Sequence, residues 1–258
     1  MTRHELDFSK IRTYSVKERK SLVSKDDFTK PWARGQSLGF FLDSLPNILA
    51  GRDIRQVIFA LADAARNNRQ ICLAMGGHVI KTGMNRVLID LMNKKILTMV
   101  SMNGSGIIHD LEVAMTGRTS EDVSQALKDG SFGMARETST FLNQAIKNAK
   151  DKSLGLGRAV GEMILAENLD FNDLSVTAAG ARLDIPVTVH VAVGTDIIHM
   201  HPDFDAGACG KASHDDFKTF SGIISGLENG VFINAGSAVI LPEVFLKALT
   251  LVRNLGHK

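Results

Sequence analysis

The sequence has few of the residues and segments that mark specialised classes of protein. Only two cysteines occur in 258 residues, Cys72 and Cys209, and neither belongs to a Cys-X-X-Cys pair. A disulfide scaffold is therefore excluded, and reduced thiols fit the cytoplasm. No apolar run approaches the ~20 residues that span a bilayer, and "MTRHELDFSK" lacks the apolar segment of a signal peptide. We expect a cytoplasmic protein that does not associate with membranes.

An excess of charge of one sign is also absent. The chain has 30 basic and 28 acidic residues, a net charge of +2, and its one basic cluster is the short "KERK" at 17–20. Nucleic acids and anionic membrane surfaces are bound by basic faces, so neither is an expected partner. Hydrophobic residues make up 44% of the chain and charged residues 22%, as in soluble proteins with a substantial core. A small-molecule ligand is the expected partner.

The chain contains four short apolar runs separated by helical patterns. The runs are ICLAM (71–75), ILTMVSM (96–102), PVTVHVAV (186–193) and VFINA (231–235). Apolar runs without alternation predict strands covered on both faces, and strands that alternate with helices predict a parallel sheet. The predicted fold is α/β and Rossmann-like. We predict an extended N-terminal arm over 1–35 and a single domain over 36–258, with a helical insertion at about 117–183.

Glycine or another small residue follows each predicted strand. Ligands of open parallel sheets bind at the carboxyl ends of the strands, where glycines let backbone amides approach a phosphate. A nucleotide-type ligand is therefore expected, although tight turns need small residues whatever binds there. The loop "GGHVIKTG" (76–83) is not a P-loop, because Met75 and Ile80 stand where glycines are required. The loop "NGSG" (103–106) does not fit the G-x-G-x-x-G fingerprint either.

The stretch "GTDIIHMHPDFDAG" (194–207) contains the densest group of ionisable residues. In an extended segment, His199 and His201 would project on the same side. With Asp196, they are candidates for acid–base or substrate-binding roles. A metal site with ligands from elsewhere and a purely structural role are the alternatives. His109 lies near the positive end of a predicted helix and is a further candidate, with helix capping by Asp110 as the alternative.

The order of these segments resembles deoxyhypusine synthase. The resemblance extends over about residues 36–250 and rests on ICLAMGGHVIKTGMNRVLIDLM, MNGSGIIHDLEVAM, IPVTVHVAVGTDIIHMH and GVFINAGSAV. It implies a Rossmann-like sheet with helices on both faces and a homotetramer of paired subunits that binds NAD and a polyamine between subunits. Members of that family oxidise spermidine with NAD and pass an aminobutyl group to a lysine.

The resemblance also implies a role for individual residues. Asp196 corresponds to an aspartate of the family's substrate site, His201 to a histidine downstream of it, and His109 replaces a glutamate. The remaining matched positions lie in the family's NAD loops and its glycine-rich turn. The cofactor-binding residues expected on this basis are Gly76, Gly77, His78, Thr82, Asn103, Gly104, Ser105, Gly106, Gly236 and Ser237.

Two departures from the family pattern bear on function. Ile240-Leu241-Pro242 stands where the family has a Lys-His-His run with the histidine of the redox step. The sequence reaches Lys258 without the family's Trp-Gly-Lys, which carries the catalytic lysine. We therefore expect a protein that binds NAD or a related nucleotide and a small amine-type substrate, but is not a deoxyhypusine synthase. The alternatives are an inactive ligand-binding or regulatory scaffold and a metal-dependent hydrolase that uses "HMHPDFD".

Overall fold

A parallel four-stranded sheet forms the centre of the larger of two compact units. The computed structural model describes residues 6–257, and the chain divides into the units Met1–Phe59 and Ala60–Lys258. The strands lie in the order β3-β2-β1-β4, and every neighbouring pair is parallel. They are β1 (Ile71–Met75), β2 (Met99–Asn103), β3 (Val187–His190) and β4 (Val231–Ala235). The predicted α/β, Rossmann-like fold class is confirmed.

The bounds of β1 and β4 agree with the predicted runs, whereas β2 starts three residues later than its run and ends one residue later, and β3 is shorter than its run at both ends. The ladder between β1 and β2 begins at Thr98, whose amide donates to the Ile71 carbonyl at 3.0 Å, so the first residues of the run 96–102 lie outside it. β3 ends at His190 because the next amide, of Val191, donates to Ser213 Oγ at 3.0 Å. Side-chain hydroxyls thus help to set where strand pairing stops.

Residues 6–257 form eleven α-helices. They are α1 (Leu38–Ser44), α2 (Leu49–Arg66), α3 (Gly77–Lys81), α4 (Asn85–Asn93), α5 (Gly104–Thr116), α6 (Val123–Ala126), α7 (Arg136–Lys152), α8 (Leu156–Ala166), α9 (Val176–Leu183), α10 (Ala206–Ile224) and α11 (Ile240–Asn254). The pattern HVIKTGMNRVLIDLMNKK (78–95) predicted a single helix where α3 and α4 lie. That prediction was wrong, because Gly83 adopts a left-handed φ of 79° and ends the first helix.

Apolar side chains cover the two faces of the sheet with separate clusters. Leu73 packs in the larger cluster, with residues of α4, α5, α7, α8 and α9. Its neighbour Cys72 packs in the smaller one, with Phe220 of α10 and Val252 of α11. Consecutive residues of a strand point to opposite faces, so this division confirms the predicted burial on both sides.

Two buried aspartates connect elements that are distant in the sequence. Asp216 of α10 accepts hydrogen bonds from the amides of Gly157 at 3.0 Å and Val189 at 2.8 Å. Val189 lies on the edge strand β3, so the carboxylate satisfies an amide that has no neighbouring strand. Asp110 of α5 accepts from the amides of Val176 and Thr177 at the start of α9. Asp110 therefore stabilises the start of α9 and does not cap its own helix, which was the alternative left open for this segment.

The smaller unit contains two short 3₁₀ turns and the helix α1. Residues 6–35 contain two 3₁₀ turns, Phe8–Lys10 and Lys25–Asp27, and are mostly exposed. The first five residues of the predicted arm lie outside the described part of the chain. Helix α1 follows, and α2 continues into the larger unit. Within residues 6–257, no helix combines the length and the apolar character needed to cross a membrane.

Candidate functional site

A cavity of about 210 Å³ lies at the carboxyl edge of the sheet. Its walls come from the segments that follow β1, β2 and β3, which is where parallel sheets bind ligands. The polar side chains around it are those of Lys81, Ser105, His109, Glu112, Ser120, Glu121, Thr195 and Asp196. We call it the Asp196 cavity.

A larger cavity, of about 390 Å³, lies at the opposite edge of the sheet, beside Pro186 and Val187 at the start of β3. Its most buried charged group is Asp216, whose carboxylate already accepts hydrogen bonds from two backbone amides. Arg158 in the same wall pairs with Glu162 and Asp184. Because its charged groups are satisfied within the chain, this cavity is a weaker candidate than the Asp196 cavity.

Asp196 is the least satisfied ionisable group in the Asp196 cavity. Its side chain is 7% exposed, and its Oδ2 is fully buried without a hydrogen-bond partner among residues 6–257. Burial raises the pKa of this carboxyl to about 6. The carboxylate packs on Gly104, where a β-carbon would lie 1.8 Å from Oδ2. Glycine at position 104 is therefore required by the aspartate above it.

His199 lies beside Asp196 in a fixed orientation. Its Nδ1 accepts hydrogen bonds from the amides of Gly194 at 3.0 Å and Asp196 at 3.2 Å. An atom that accepts from amides carries no proton, so the neutral ring is protonated at Nε2. Nε2 is buried without a partner in the described part of the chain and lies 4.0 Å from Asp196 Oδ2. Burial also lowers the pKa of His199.

His201 points to a different part of the molecule. Ile197–Met200 forms a 3₁₀ turn, so the expectation of an extended segment with both histidines on one side was wrong. The His201 ring donates through Nε2 to the Gly133 carbonyl at 2.9 Å. In residues 6–257, no three side chains of His, Cys, Asp or Glu are grouped as metal ligands. The "HMHPDFD" stretch thus holds a loop in place through one histidine and faces Asp196 through the other.

His109 belongs to a polar chain that borders the Asp196 cavity. Its Nδ1 lies 2.7 Å from Thr119 Oγ1, and the threonine hydroxyl donates to Glu112. Since that hydroxyl uses its proton on Glu112, His109 donates through Nδ1, which leaves Nε2 unprotonated in the neutral ring. Burial raises the pKa of Glu112, but hydrogen bonds from His109 and Thr119 and the nearby imidazole bring it below its usual value.

Three charged residues of this site were missed by the sequence analysis. Glu112 follows His109 by one helical turn, a spacing that places both on one face of α5 and could have indicated it. Glu121 and Lys81 come from a loop and from the end of α3, and no local pattern marks them. Glu121 also accepts a hydrogen bond from the Gly133 amide at 2.9 Å.

The glycines expected to bind a cofactor are in close contact with the rest of the chain. A β-carbon on Gly76 would lie 2.2 Å from the Gly236 carbonyl oxygen. One on Gly77 would lie 2.7 Å from Ser105 Oγ and 2.9 Å from His109 Cδ2. Gly236 itself has a left-handed φ of 72°. The fold alone thus requires small residues in these turns, with or without a ligand.

The second expected cofactor loop starts α5. Asn103 is its N-cap, and Oδ1 accepts from the Gly106 amide at 3.1 Å and from Ser105 Oγ at 3.0 Å. A β-carbon on Gly106 would lie 2.8 Å from Met102 Cβ. Since Asp196 lies over Gly104, this helix end already faces a carboxyl group and not open solvent.

The three remaining cofactor candidates lie on two separate segments, with His78 and Thr82 on α3 and its C-cap and Ser237 before α11. His78 is exposed in the first turn of α3, and Thr82 at the other end donates its hydroxyl to the His78 carbonyl at 3.0 Å. Ser237 Oγ accepts from the Leu241 amide at 3.2 Å at the start of α11. Thr82 and Ser237 therefore stabilise helix ends in this structure. The amides of Gly77 and His78 donate no hydrogen bond within residues 6–257.

No family model and no curated protein matches this sequence. Solved structures show a distant likeness. ArgZ, an arginine dihydrolase of the ornithine–ammonia cycle in Cyanobacteria, has a TM-score of 0.48 and 17% identity over 76% of this chain and 24% of that one. A LOR/SDH-type protein from Methanococcus maripaludis S2 has a TM-score of 0.43 and 13% identity, over 95% of this chain and 76% of that one.

One of the similar structures belongs to the family that the sequence resembles. A protein from Entamoeba histolytica described as a deoxyhypusine synthase has a TM-score of 0.36 and 13% identity, over 69% of this chain and 52% of that one. The chain thus spans about a quarter of the length of ArgZ and about half of the Entamoeba protein. Likenesses this weak define neither a family nor an activity, so function has to be argued from the site.

Proposed function

We propose that this protein is a cytoplasmic, deoxyhypusine synthase-like protein that binds a small amine-type substrate in the Asp196 cavity. The observation that carries the proposal is the surplus of acidic groups there. Asp196, Glu112 and Glu121 border the cavity, and Lys81 is the one lysine or arginine among its lining residues. A carboxylate that is buried without a partner is costly and gains most from a cationic ligand. An ammonium group is such a ligand.

NAD or a related nucleotide is the proposed second ligand. The turn of Gly76 and Gly77 packs against Gly236, at the point where the strand order passes from β1 to β4. In parallel sheets this switch point is the usual nucleotide crevice. The unpaired amides of Gly77 and His78 fit a phosphate, whereas Gly104 lies under the Asp196 carboxyl and does not. Bound NAD would supply a hydride acceptor.

The residues of this chain would then bind and orient the amine. Asp196 and Glu112 hold the cationic group, and the free Nε2 of His109 accepts a hydrogen bond from it. The enzymes of the resembled family are homotetramers with sites between subunits, and we propose the same assembly here. Transfer of an aminobutyl group to a lysine is not part of the proposal.

Thermal unfolding in the presence of separate ligands tests the proposal. A ligand at about a hundred times its dissociation constant stabilises by ~2.7 kcal/mol, which raises Tm by several degrees. We expect spermidine and NAD each to raise Tm, with EDTA present throughout. Asp196→Asn should abolish the spermidine shift and keep the NAD shift. Asp203→Asn, an exposed change in the same loop region, is the matched control.

Other outcomes would contradict specific parts of the proposal. If no diamine or polyamine raises Tm, the amine site is wrong. If NAD does not raise Tm, the proposal that this protein binds NAD is wrong. If both ligands bind but no NADH absorbance develops, the protein is a ligand-binding scaffold without turnover.

A further inference from the structure

Asp196 and His199 each bury one polar atom that has no partner, and these two atoms face each other. The atoms are Asp196 Oδ2 and His199 Nε2, 4.0 Å apart, and the two side chains are 7% and 6% exposed. One is an acceptor and the other, in the tautomer fixed by the two backbone amides, is a donor. Leaving both unsatisfied is unfavourable, and catalytic hydrogen bonds are often long before a ligand binds.

We infer that His199 is a positioning residue that donates its Nε2–H to Asp196 Oδ2 and thereby presents Oδ1 to the ligand in the Asp196 cavity. The anchoring of Nδ1 by Gly194 and Asp196 leaves the ring one direction for its remaining proton. Phe204 packs against the ring, with centroids 4.6 Å apart, and limits its rotation. Oδ2 is the fully buried oxygen, so Oδ1 is the one that borders the cavity.

The hydrogen bond from His199 to Asp196 affects how readily the Asp196 carboxylate accepts a proton. The part of the inference that concerns substrate rests on the proposed function. An ammonium ligand would transfer one N–H proton to Oδ1 and keep the electron pair on nitrogen. The products of this step are a neutral amine and a carboxylic acid. A hydrogen bond from His199 stabilises the carboxylate and keeps Asp196 ionised until the ligand is bound.

Several charged or titratable groups surround the pair. Lys81 of α3, His109 and Glu112 of α5 and Glu121 of the following loop border the same cavity. Behind the pair, Cys209 of α10 is buried, and burial, with a smaller effect of Asp196, raises the pKa of its thiol to about 11. The thiol is therefore neutral over the range in which Asp196 titrates. Among these groups, only His199 combines a fixed proton with an orientation toward Oδ2.

Two substitutions of His199 separate the two functions of its ring, which are to accept from the backbone amides through Nδ1 and to donate to Asp196 through Nε2. In His199→Asn, the side-chain oxygen can accept from the two amides near the position of Nδ1, but no donor reaches Asp196. In His199→Gln, the longer side chain can place an N–H near the position of Nε2. The measurement is the pH titration of the Asp196 carboxyl carbon by NMR in the ligand-free protein. Long-range ¹H–¹⁵N spectra of the wild type report the His199 tautomer without any substitution.

We expect the His199 spectrum to show the Nε2–H tautomer. We expect His199→Asn to raise the Asp196 midpoint by about one pH unit, the effect of losing a hydrogen bond to a charged group. His199→Gln should restore most of that difference. An Nδ1–H tautomer, or an unchanged midpoint in His199→Asn, would overturn the inference. A shifted midpoint in a protein that binds no spermidine would support the pairing and contradict the amine-binding proposal.

Discussion

Replacing Asp216 with alanine should destabilise the protein severely without touching the Asp196 cavity. Asp216 is 2% exposed, and its Oδ2 accepts from the amides of Gly157 and Val189. Those amides begin α8 and line the outer edge of β3. Alanine would leave both amides without their acceptor.

The expected loss follows from the number of amides left unpaired. Each buried, unsatisfied donor costs about 1–3 kcal/mol, so two cost about 2–6 kcal/mol of unfolding free energy. For a chain of this length, Tm should fall by about 5–15 °C. Asp216→Asn keeps an oxygen at the position that both amides share and should retain most of the stability.

Chemical denaturation at fixed pH measures these differences, and the neighbouring residue provides the control. Asp215 is paired with Lys211 and Lys218 on the surface of α10, at 2.6 and 3.1 Å. Exposed pairs contribute about 0–1 kcal/mol, so Asp215→Ala should change stability little. If Asp216→Ala were no more destabilising than Asp215→Ala, the assignment of Asp216 as the acceptor for the β3 edge would be refuted.

Two further predictions concern pH and packing. Burial raises the pKa of Asp216 to about 7, so the folded state holds a proton that the unfolded state releases, and this stabilisation is lost as pH rises through 7. The stability of wild type relative to Asp216→Asn should therefore fall between pH 5 and pH 8 by on the order of a few kcal/mol; a constant difference in denaturation midpoints would exclude this titration. The comparison also cancels the opposite effect of His190, whose pKa burial lowers to about 4. In α8, Gly157→Ala would place a β-carbon 1.9 Å from the Val187 carbonyl oxygen and should cost about 1–3 kcal/mol, whereas Gly210→Ala in α10 meets no atom within 4 Å and should gain about 0.5–1 kcal/mol. Equal melting temperatures for the two alanine variants would contradict the close packing of α8 on β3.

The elements that the sequence predicted best are those that local pattern controls. β1 and β4 are continuous apolar runs bounded by polar residues or glycine, and their limits are visible in the sequence. The break between α3 and α4 was missed because a glycine within an apolar helical pattern can be tolerated, and only its φ shows that the helix ends there. Helix α9 lies within the predicted helical insertion, but its start was not predictable from local pattern, because Asp110, which accepts from its first amides, lies more than 60 residues earlier in the sequence.

The site residues also divide into those whose position follows from local pattern and those whose contacts depend on the tertiary structure. Asp196 and His109, which both border the Asp196 cavity, were predicted as candidates because they follow strands whose carboxyl ends lie at one edge of the sheet. The partnership of Asp196 with His199 and the separation of His201 were not predictable, since both depend on the 3₁₀ turn at 197–200. Glu112 borders the same cavity because it lies one helical turn after His109 on α5, and that spacing is visible in the sequence.

The sequence by itself determined the class of fold, the small residues after the strands and the edge at which ligands are expected. These follow from burial and backbone conformation, which act over a few residues. The tertiary structure alone decided which polar atoms were left without partners. Whether a polar atom finds a hydrogen-bond partner depends on groups distant in the sequence. The Gly133 carbonyl accepts a hydrogen bond from His201, whereas His199 Nε2 has no hydrogen-bond partner at normal distance within residues 6–257.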